Sequence, residues 1–204
     1  LLSLANNHTQ NRGVQGLIET KKILEGSGIA YVGDPLTCGD ESVYKKDDII
    51  FLAFNTTFPQ NCSAEKISQK VRETDVSYPD LFLVVMVHWG NEYQLSNSTY
   101  QKNLAHDLID NGADLIIGHH PHVTQNIEIY NGKPIFYSLG NFVFDQYFSS
   151  DTQEGLIIGL DLGNNNVVYR IYPVRSEKSQ PFRMEGEERV KFLRRLSERS
   201  DPLL

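Results

Sequence analysis

Residues 81–90 read LFLVVMVHWG and residues 114–122 read DLIIGHHPH, and these two stretches decide the fold. Each contains an unbroken apolar run, which is typical of a strand buried on both faces of a sheet. Between them, residues 98–111 carry a helical pattern with Ser98 or Thr99 as its cap. A helix of this length provides the crossover of a parallel βαβ unit, so the two runs predict neighbouring parallel strands.

Histidines follow both apolar runs. His88 ends the first run, and three more histidines lie within residues 119–122 after the second. Another apolar stretch, residues 1–5, is followed by Asn6, Asn7 and His8. Ligands of open α/β sheets bind outside the carboxyl ends of the strands. We therefore predict that these three strand ends share one site.

The first part of the chain also alternates between strand-like runs and helical patterns, and the later part has a different pattern. Helical patterns after His8 and over residues 65–75 separate strand-like runs, whereas the later part is typical of two β-hairpins. Residues 33–48 are predicted to be turn-rich, and residues 55–64 to form a loop bordering the site. This order predicts an α/β (α+β) fold with two layered sheets and helices outside. The predicted strands are residues 1–5, 29–32, 49–54, 81–87, 114–117, 127–130, 134–138, 156–162 and 167–172.

Composition limits the classes of function. The 204 residues suffice for one domain with a sizeable core, or most of one. The net charge of −7 disfavours non-specific binding to nucleic acid or to an anionic membrane surface. No apolar stretch approaches the roughly 18 residues of a membrane span. Because the chain begins at Leu1 inside an apolar run, we interpret it as lacking an N-terminal part that could hold targeting signals. Cys38 and Cys62 are compatible with a disulfide or with two free thiols.

The segment around Pro121 predicts a metal site. Proline fixes its own φ near −65° and favours an extended backbone at His120. Alternate residues of an extended segment point the same way, so His120 and His122 are predicted to share one locus and His119 to point elsewhere. Two alternating histidines beside His88 favour metal binding. The alternative is that His88 has a structural role, as a histidine of the core.

Residues near these histidines are further candidates. Asn7 is a suitable oxygen ligand for a harder cation, and His8 could serve as general acid for a leaving oxygen. The alternative is that Asn7 belongs to a simple turn. Glu92 could bind metal, orient a ligand or contact substrate, or be a solvated loop charge. Trp89 and Tyr93 are more typical of packing and of a site wall.

The donor types indicate which chemistry the site could support. Imidazole and oxygen donors suit Zn, Mn or Fe. Two such ions close together clamp the attacking and leaving oxygens of a phosphoryl transfer. A dinuclear site usually needs a bridging carboxylate, and these motifs supply almost no Asp. The motifs therefore account for about half of such a site.

Four motifs together resemble a known family. They are residues 3–8 (SLANNH), 88–93 (HWGNEY), 118–123 (GHHPHV) and 137–146 (YSLGNFVFDQ). In this order they closely resemble the bacterial capsule-synthesis proteins of the CapA type, also called poly-γ-glutamate synthesis proteins. That family belongs to the calcineurin-like metallophosphoesterase superfamily. The resemblance spans residues 1–161.

The resemblance implies a fold and a domain division. The fold would be a four-layer αββα sandwich over residues 1–175, here lacking its first strand or strands. The superfamily's earliest, acidic metal motifs are then expected before Leu1. Residues 176–204 would form a charged C-terminal extension, and their apolar stripe predicts a helix.

The resemblance also implies a set of site residues. It predicts two divalent transition-metal ions, Mn, Fe or Zn, in the intact protein and one or none in this chain. The implied metal ligands are Asn7, His88, His120 and His122, and the implied catalytic residue is His8. Residues implied at the rim of the site or against substrate are Glu92, Tyr93, His119, Asn141 and Asp145. One departure is that Gln10, Asn11 and Arg12 stand where the family commonly has an acidic residue.

Two functional hypotheses follow from the resemblance. The first is a metal-dependent phosphoesterase-like protein of capsule or poly-γ-glutamate production, outside the cytoplasm at the cell surface. Its partners would be membrane components of the polymer synthase, and a missing N-terminal anchor would be its membrane attachment. The second is a non-catalytic assembly or export component with a vestigial metal site. Nucleic acid is not an expected partner in either case.

Overall fold

The apolar runs and helical patterns become eleven strands and four α-helices in the computed structural model, which describes residues 1–58, 62–163 and 166–201. Residues 59–61 of the predicted site-bordering loop and residues 164–165 of the second hairpin turn lie outside the described residues. The helices are α1 (Gly13–Gly26), α2 (Ala64–Ser77), α3 (Thr99–Asp110) and α4 (Gly186–Ser197). The strands are β1 (Leu2–Ser3), β2 (Tyr31–Val32), β3 (Val43–Lys46), β4 (Ile49–Asn55), β5 (Phe82–His88), β6 (Leu115–His119), β7 (Ile127–Tyr130), β8 (Lys133–Phe136), β9 (Glu154–Leu162), β10 (Val167–Glu177) and β11 (Gln180–Arg183).

A six-stranded mixed sheet forms the centre, with strand order β3-β4-β5-β6-β8-β7. Strands β4, β5, β6 and β8 run parallel, and the edge strands β3 and β7 run antiparallel to their neighbours. The predicted βαβ unit is therefore present, with α3 as its crossover. The register pairs Asn55 with His88 and His88 with His119. Three parallel strands thus end at the same level, with polar side chains at the carboxyl edge.

Helices α2 and α3 cover one face of this sheet. Both begin at a serine whose hydroxyl accepts a hydrogen bond from the first turn, Ser63 in α2 and Ser98 in α3. In α3 the side chain of Gln101 also bonds back to the Ser98 backbone, which completes a capping box. The predicted apolar face of α3, Leu104, Ala105, Leu108 and Ile109, is buried against β5 and β6.

The opposite face packs against a second β layer. Strands β9, β10 and β11 form an antiparallel sheet, and β1 pairs with β2 in a separate parallel sheet. Alternation along β5 sends Val85 toward the helices and Val84 toward the second layer. Helix α4 adds Phe192 and Leu196 to the same second core. The α/β class and the layered sheets are confirmed.

Three details differ from the sequence predictions or refine them. Residues 33–48 include β3, which pairs with β4, so the turn-rich prediction is wrong there because alternation in the short VYKK run is too brief to detect. On α1 only Leu17 is buried, and Val14 and Ile18 are exposed. The division after residue 175 falls inside β10, whereas α4 and β11 occupy most of the C-terminal segment.

Cys38 and Cys62 form a disulfide, with their Cα atoms 5.6 Å apart. Of the two alternatives compatible with the sequence, the structure therefore has the bridge. It joins the segment after β2 to the start of α2. Within the described residues, no helix combines the length and the apolar character needed to cross a bilayer.

Candidate metal centre

The ends of β1, β5 and β6 meet around a cleft of about 400 Å³. The turn after β1 is held by Asn6, whose Oδ1 accepts from the backbone N–H of His8 at 2.8 Å and of Thr9 at 2.9 Å. This turn directs Asn7 and His8 toward the strand ends of the central sheet. The lining residues that bear on the predicted site are Asn7, His8, His88, His119, His122 and Phe144.

Asn7 and His88 come together across the two β layers. The Oδ1 of Asn7 lies 2.9 Å from Nε2 of His88, although 81 residues separate them in sequence. The ring of His120 lies beside that of His88, with 4.7 Å between the ring centroids. Three of the four predicted ligands therefore occupy one small volume, and their donor atoms are an amide oxygen and imidazole nitrogens.

His120 and His122 reach this volume by a route other than the predicted one. Their φ angles are +98° and +61°, so neither residue is in an extended conformation. The extended-backbone argument is therefore wrong, because the chain turns sharply after β6 instead of continuing as a strand. The two rings still lie close, with centroids 6.1 Å apart. Left-handed backbone at non-glycine residues is uncommon and tends to occur at functional sites.

His119 also lies at the cleft, because of its place at the end of β6. It is the last residue of β6, on the sheet face that His88 occupies in β5, and it lines the cleft. The prediction that His119 points away from the site is wrong, because it assumed strand alternation through Pro121. His119 is a cleft residue adjacent to His88.

Asn141 fixes the orientation of His122. Its Oδ1 lies 2.9 Å from Nδ1 of His122, and its Nδ2 donates to the carbonyl of Thr152 at 2.9 Å and to Gln146 at 3.2 Å. Asn141 is itself buried. An amide oxygen beside Nδ1 places the ring proton there and leaves the Nε2 lone pair free to bind a cation. Asn141 also satisfies a backbone group, since its Nδ2 donates to the carbonyl of Thr152.

Burial favours the uncharged form of His88, His119 and His120. It lowers the pKa of His88 to about 2, with a further contribution from the neighbouring histidines, His120 first. Burial also lowers the pKa of His119 to about 4. The pKa of His120 is lowered by burial, against an opposing attraction to the Glu92 carboxylate. Neutral imidazole is the form that binds metal ions.

The loop after β5 lies against the turn after β6. Gly90 (φ +81°) redirects the chain, and the backbone N–H of Tyr93 donates to the carbonyl of Pro121 at 2.8 Å. Glu92 is exposed on this loop. One ligand atom each from Glu92, His120 and His122 lie within 4.8 Å of one another, so the three could hold a metal ion.

His8 is exposed at the mouth of the cleft, and among the described residues its ring has one side-chain partner. The Nδ2 of Asn11 lies 3.1 Å from its Nδ1. An amide N–H donates, so Nδ1 accepts and Nε2 carries the proton in the neutral ring. Asn11 stands where the resemblance leads one to expect an acidic residue, and it makes the local contact with His8 instead.

An aromatic wall, which we define as Tyr93, Phe144 and Phe148, flanks the histidines. The ring of His122 lies 6.1 Å from that of Tyr93 and 5.0 Å from that of Phe144. Phe148 contacts Tyr93 edge-on at 5.2 Å. Gln146 ties the wall together by donating to the Tyr93 hydroxyl at 3.1 Å. All three aromatic residues are exposed, so the wall borders the open side of the cleft.

Asp145 lies on the same loop as Phe144 and is exposed. Its neighbours, rather than its own carboxylate, make the described contacts with the site. The loop is fixed by Ser179, whose hydroxyl donates to the carbonyl of Phe144 at 3.0 Å. Asp145 is therefore near the rim, and its role stays a prediction.

The sequence arguments placed Tyr93 and Asn141 at the site but missed other residues that orient or enclose the cluster. Asn11, Phe144 and Phe148 have no spacing signal, although the density of aromatic residues in 142–148 was visible. Thr56 and Thr57 line a second pocket with His120, at the loop predicted to border the site.

The donor set fits a divalent transition metal. It combines neutral imidazoles with an amide oxygen and a nearby carboxylate, which suit Mn, Fe or Zn. The Nδ1 of His120 is buried and has no hydrogen-bond partner among the described residues. Buried polar atoms are rarely left unpaired, so such an atom in this cluster is consistent with a ligand.

The fold and this cluster define a mixed α/β protein, consistent with a metallophosphoesterase-like fold, with histidines and asparagines gathered at the strand ends. The chain belongs to the family described as bacterial capsule synthesis protein PGA_cap, which matches residues 1–146. The resemblance drawn from the four motifs is therefore confirmed.

Several similar proteins have descriptions that are consistent with this family. The chain is 33% identical to the PGA biosynthesis protein CapA of Bacillus subtilis, over 89% of this chain and 52% of the relative. It is 32% identical to the capsule biosynthesis protein CapA of Bacillus anthracis, over 89% and 49%. It is 30% identical to a probable polyglutamine synthesis accessory protein of Mycobacterium tuberculosis, over 70% and 44%. The chain thus spans about half the length of these relatives.

Proposed function

We propose that this chain is the metal-binding, phosphoesterase-like part of a protein that acts in capsule or poly-γ-glutamate biosynthesis at the cell surface. The observation that carries the proposal is the convergence of Asn7, His88, His120 and His122 at one sheet edge. Family membership supplies the pathway, because the matched relatives are described as capsule or PGA biosynthesis proteins.

Each residue has a role that its contacts support. Asn7, His88, His120 and His122 would hold divalent ions, and a divalent ion at such a site supplies Lewis-acid polarisation of a phosphoryl oxygen. His8 would present Nε2 to a leaving oxygen, because Asn11 occupies its Nδ1, and the protonated ring would donate a proton from Nε2 to that oxygen and return to neutral imidazole. Asn141 would keep the ring of His122 aligned. The aromatic wall would exclude water from one side of the substrate.

The disulfide supports a location outside the cytoplasm. Disulfides such as Cys38–Cys62 persist in oxidising compartments and are rare in the reducing cytosol. The proposed partners are the membrane components of the polymer synthase. Attachment to the membrane would come from a segment other than the described residues.

A second candidate function is a non-catalytic role in polymer assembly or export. It is favoured by the description of the mycobacterial relative as an accessory protein. Under this proposal the cluster would bind metal for stability or for docking, and His8 would have no substrate to protonate.

Hydrolysis of bis(p-nitrophenyl) phosphate, measured with and without added Mn²⁺, separates the two candidates. The catalytic proposal predicts Mn²⁺-dependent release of nitrophenol that His88→Ala abolishes. His106→Ala is the matched control, since His106 lies on α3 and contacts Glu128 away from the cleft. A protein that binds Mn²⁺ at the cluster yet hydrolyses neither this diester nor p-nitrophenyl phosphate would favour the assembly role.

A further inference from the structure

The carboxylate of Glu92 lies close to His120 and His122, although the histidine motifs supply almost no Asp. We infer that Glu92 is a metal ligand, sharing with His120 and His122 an ion bound at the turn after β6. The inference deepens the proposed metal site and rests on it. It assigns to the chain itself an anionic oxygen donor, so the site does not depend wholly on acidic residues elsewhere.

The spacing of the three donors fits an ion. A divalent transition metal binds nitrogen and oxygen at about 2.0–2.2 Å, so two donors to one ion lie at most about 4.4 Å apart. One ligand atom each from Glu92, His120 and His122 already lie within 4.8 Å of one another. The donors therefore need to approach one another by at most about 0.4 Å to satisfy this limit.

The backbone holds Glu92 at this position. Trp89 is buried, its backbone N–H donates to the carbonyl of His119 at 3.1 Å, and its indole donates to Tyr137 at 2.9 Å. On the other side of Glu92, the N–H of Tyr93 bonds to Pro121. Both anchors tie the Glu92 loop to the segment that carries His120 and His122. A solvated loop carboxylate has no need for such fixed placement.

Two features of the histidines point independently to a ligand. The Nδ1 of His120 is buried and lacks a partner among the described residues. Asn141 occupies Nδ1 of His122, which leaves Nε2 for another bond. Both residues also adopt left-handed backbone, which orders their rings toward each other at a local conformational cost. These features are explained together if the rings bind a cation that Glu92 also binds.

The chemistry of the donors gives a selectivity prediction. Carboxylate oxygen suits harder ions such as Mn²⁺, whereas imidazole also suits Ni²⁺ and Zn²⁺. Removal of the carboxylate should therefore weaken Mn²⁺ binding by a larger factor than Ni²⁺ binding. A purely structural role for Glu92 would weaken both equally, through displacement of the loop.

The test is calorimetric titration of the purified metal-free protein with Mn²⁺ and, separately, Ni²⁺. Glu92→Gln keeps the size of the side chain and removes its charge, and Glu92→His replaces the oxygen with an imidazole. Glu187→Gln, an exposed residue of α4, is the matched control. Thermal melts of all variants check that the fold is intact.

The inference predicts that Glu92→Gln weakens Mn²⁺ binding by at least about 10-fold, the lower range for loss of even an indirect metal contact. Ni²⁺ binding should fall less, and Glu92→His should restore Ni²⁺ but not Mn²⁺. Unchanged Mn²⁺ affinity in Glu92→Gln, or equal losses for both ions, would overturn the inference while the proposed metal site stands. Absence of binding in the unsubstituted protein would overturn the proposed function as well.

Discussion

Replacement of Asn141 tests whether His122 is held ready to bind metal. In Asn141→Ala the ring of His122 loses its partner 2.9 Å from Nδ1, so it can rotate and change tautomer. Loss of a residue that orients a metal-binding histidine typically lowers affinity about 10- to 100-fold. In Asn141→Asp a carboxylate oxygen replaces the amide oxygen, and its charge strengthens the bond to Nδ1–H. We therefore expect Mn²⁺ affinity to fall in Asn141→Ala and to be kept or raised in Asn141→Asp.

The effects of the two variants on stability should not follow their effects on Mn²⁺ affinity. The Nδ2 of Asn141 donates to Thr152 O at 2.9 Å, and the residue is buried. Asn141→Ala leaves that carbonyl without its donor, which costs about 1–3 kcal/mol in the free energy of unfolding. Asn141→Asp places a carboxylate oxygen against the carbonyl, so its cost should be at least as large. In Asn141→Asp, Mn²⁺ affinity should therefore be kept or raised while stability falls.

The assays are calorimetric titration with Mn²⁺ and urea unfolding of the metal-free protein. Gln153→Ala, a neighbouring change away from His122, is the control. If Asn141→Ala retained Mn²⁺ affinity within about twofold while losing stability, the account of His122 as an aligned ligand would be refuted. Parallel losses of affinity in both variants would mean that Asn141 acts only through the fold.

Three other predictions concern the disulfide, pH and His8. Cys38→Ser opens a loop that spans 24 residues and should lower the free energy of unfolding by about 3–4 kcal/mol, seen as a melting temperature about 10 °C lower. The lowered pKa values of His88 and His119 mean that the unfolded chain, with pKa near 6.5, binds protons first as pH falls. Stability measured by urea unfolding should therefore be full above pH 6.5 and decline from pH 6.5 toward 4. The decline should be at most about 1.4 kcal/mol per pH unit for each ring, and it should be less steep in His119→Gln. A flat profile would contradict the burial of His88 and His119. His8→Ala should leave the metal content unchanged and lower kcat for bis(p-nitrophenyl) phosphate by about 10²–10⁴-fold, and an unaltered kcat would remove His8 from the mechanism.

Much of the fold follows from local pattern in the sequence. The continuous apolar runs that became β4, β5 and β6 could be recognised because buried parallel strands need apolar residues on both faces. The Ser98 cap and the four apolar residues of α3 were equally clear. Strand β3 was missed because four residues with two lysines, VYKK, have little apolar signal and form only by pairing with β4. The exposure of Val14 and Ile18 depends on which elements pack against α1, which a helical pattern cannot specify.

The candidate site was predictable by residue type but not by conformation. Strand ends and spacing brought Asn7, His88 and the later histidines to one edge. The side-chain directions of His119 and His120 were not predictable, because they depend on a left-handed turn whose cost is offset by tertiary contacts. Asn11 and Asn141 act through contacts with distant or turn-dependent partners, and single-sequence patterns do not contain such contacts.

The most direct test of the central claim, that the strand-end cluster binds metal, is elemental analysis of the protein purified without chelators. We predict Mn, Fe or Zn at one or two ions per chain, lost in the double variant His120→Ala/His122→Ala and retained in His106→Ala. Protein that carries no transition metal, and takes up none from added Mn²⁺ or Zn²⁺, would contradict the account. Metal retained in full by the double variant would place the ion elsewhere and contradict it equally.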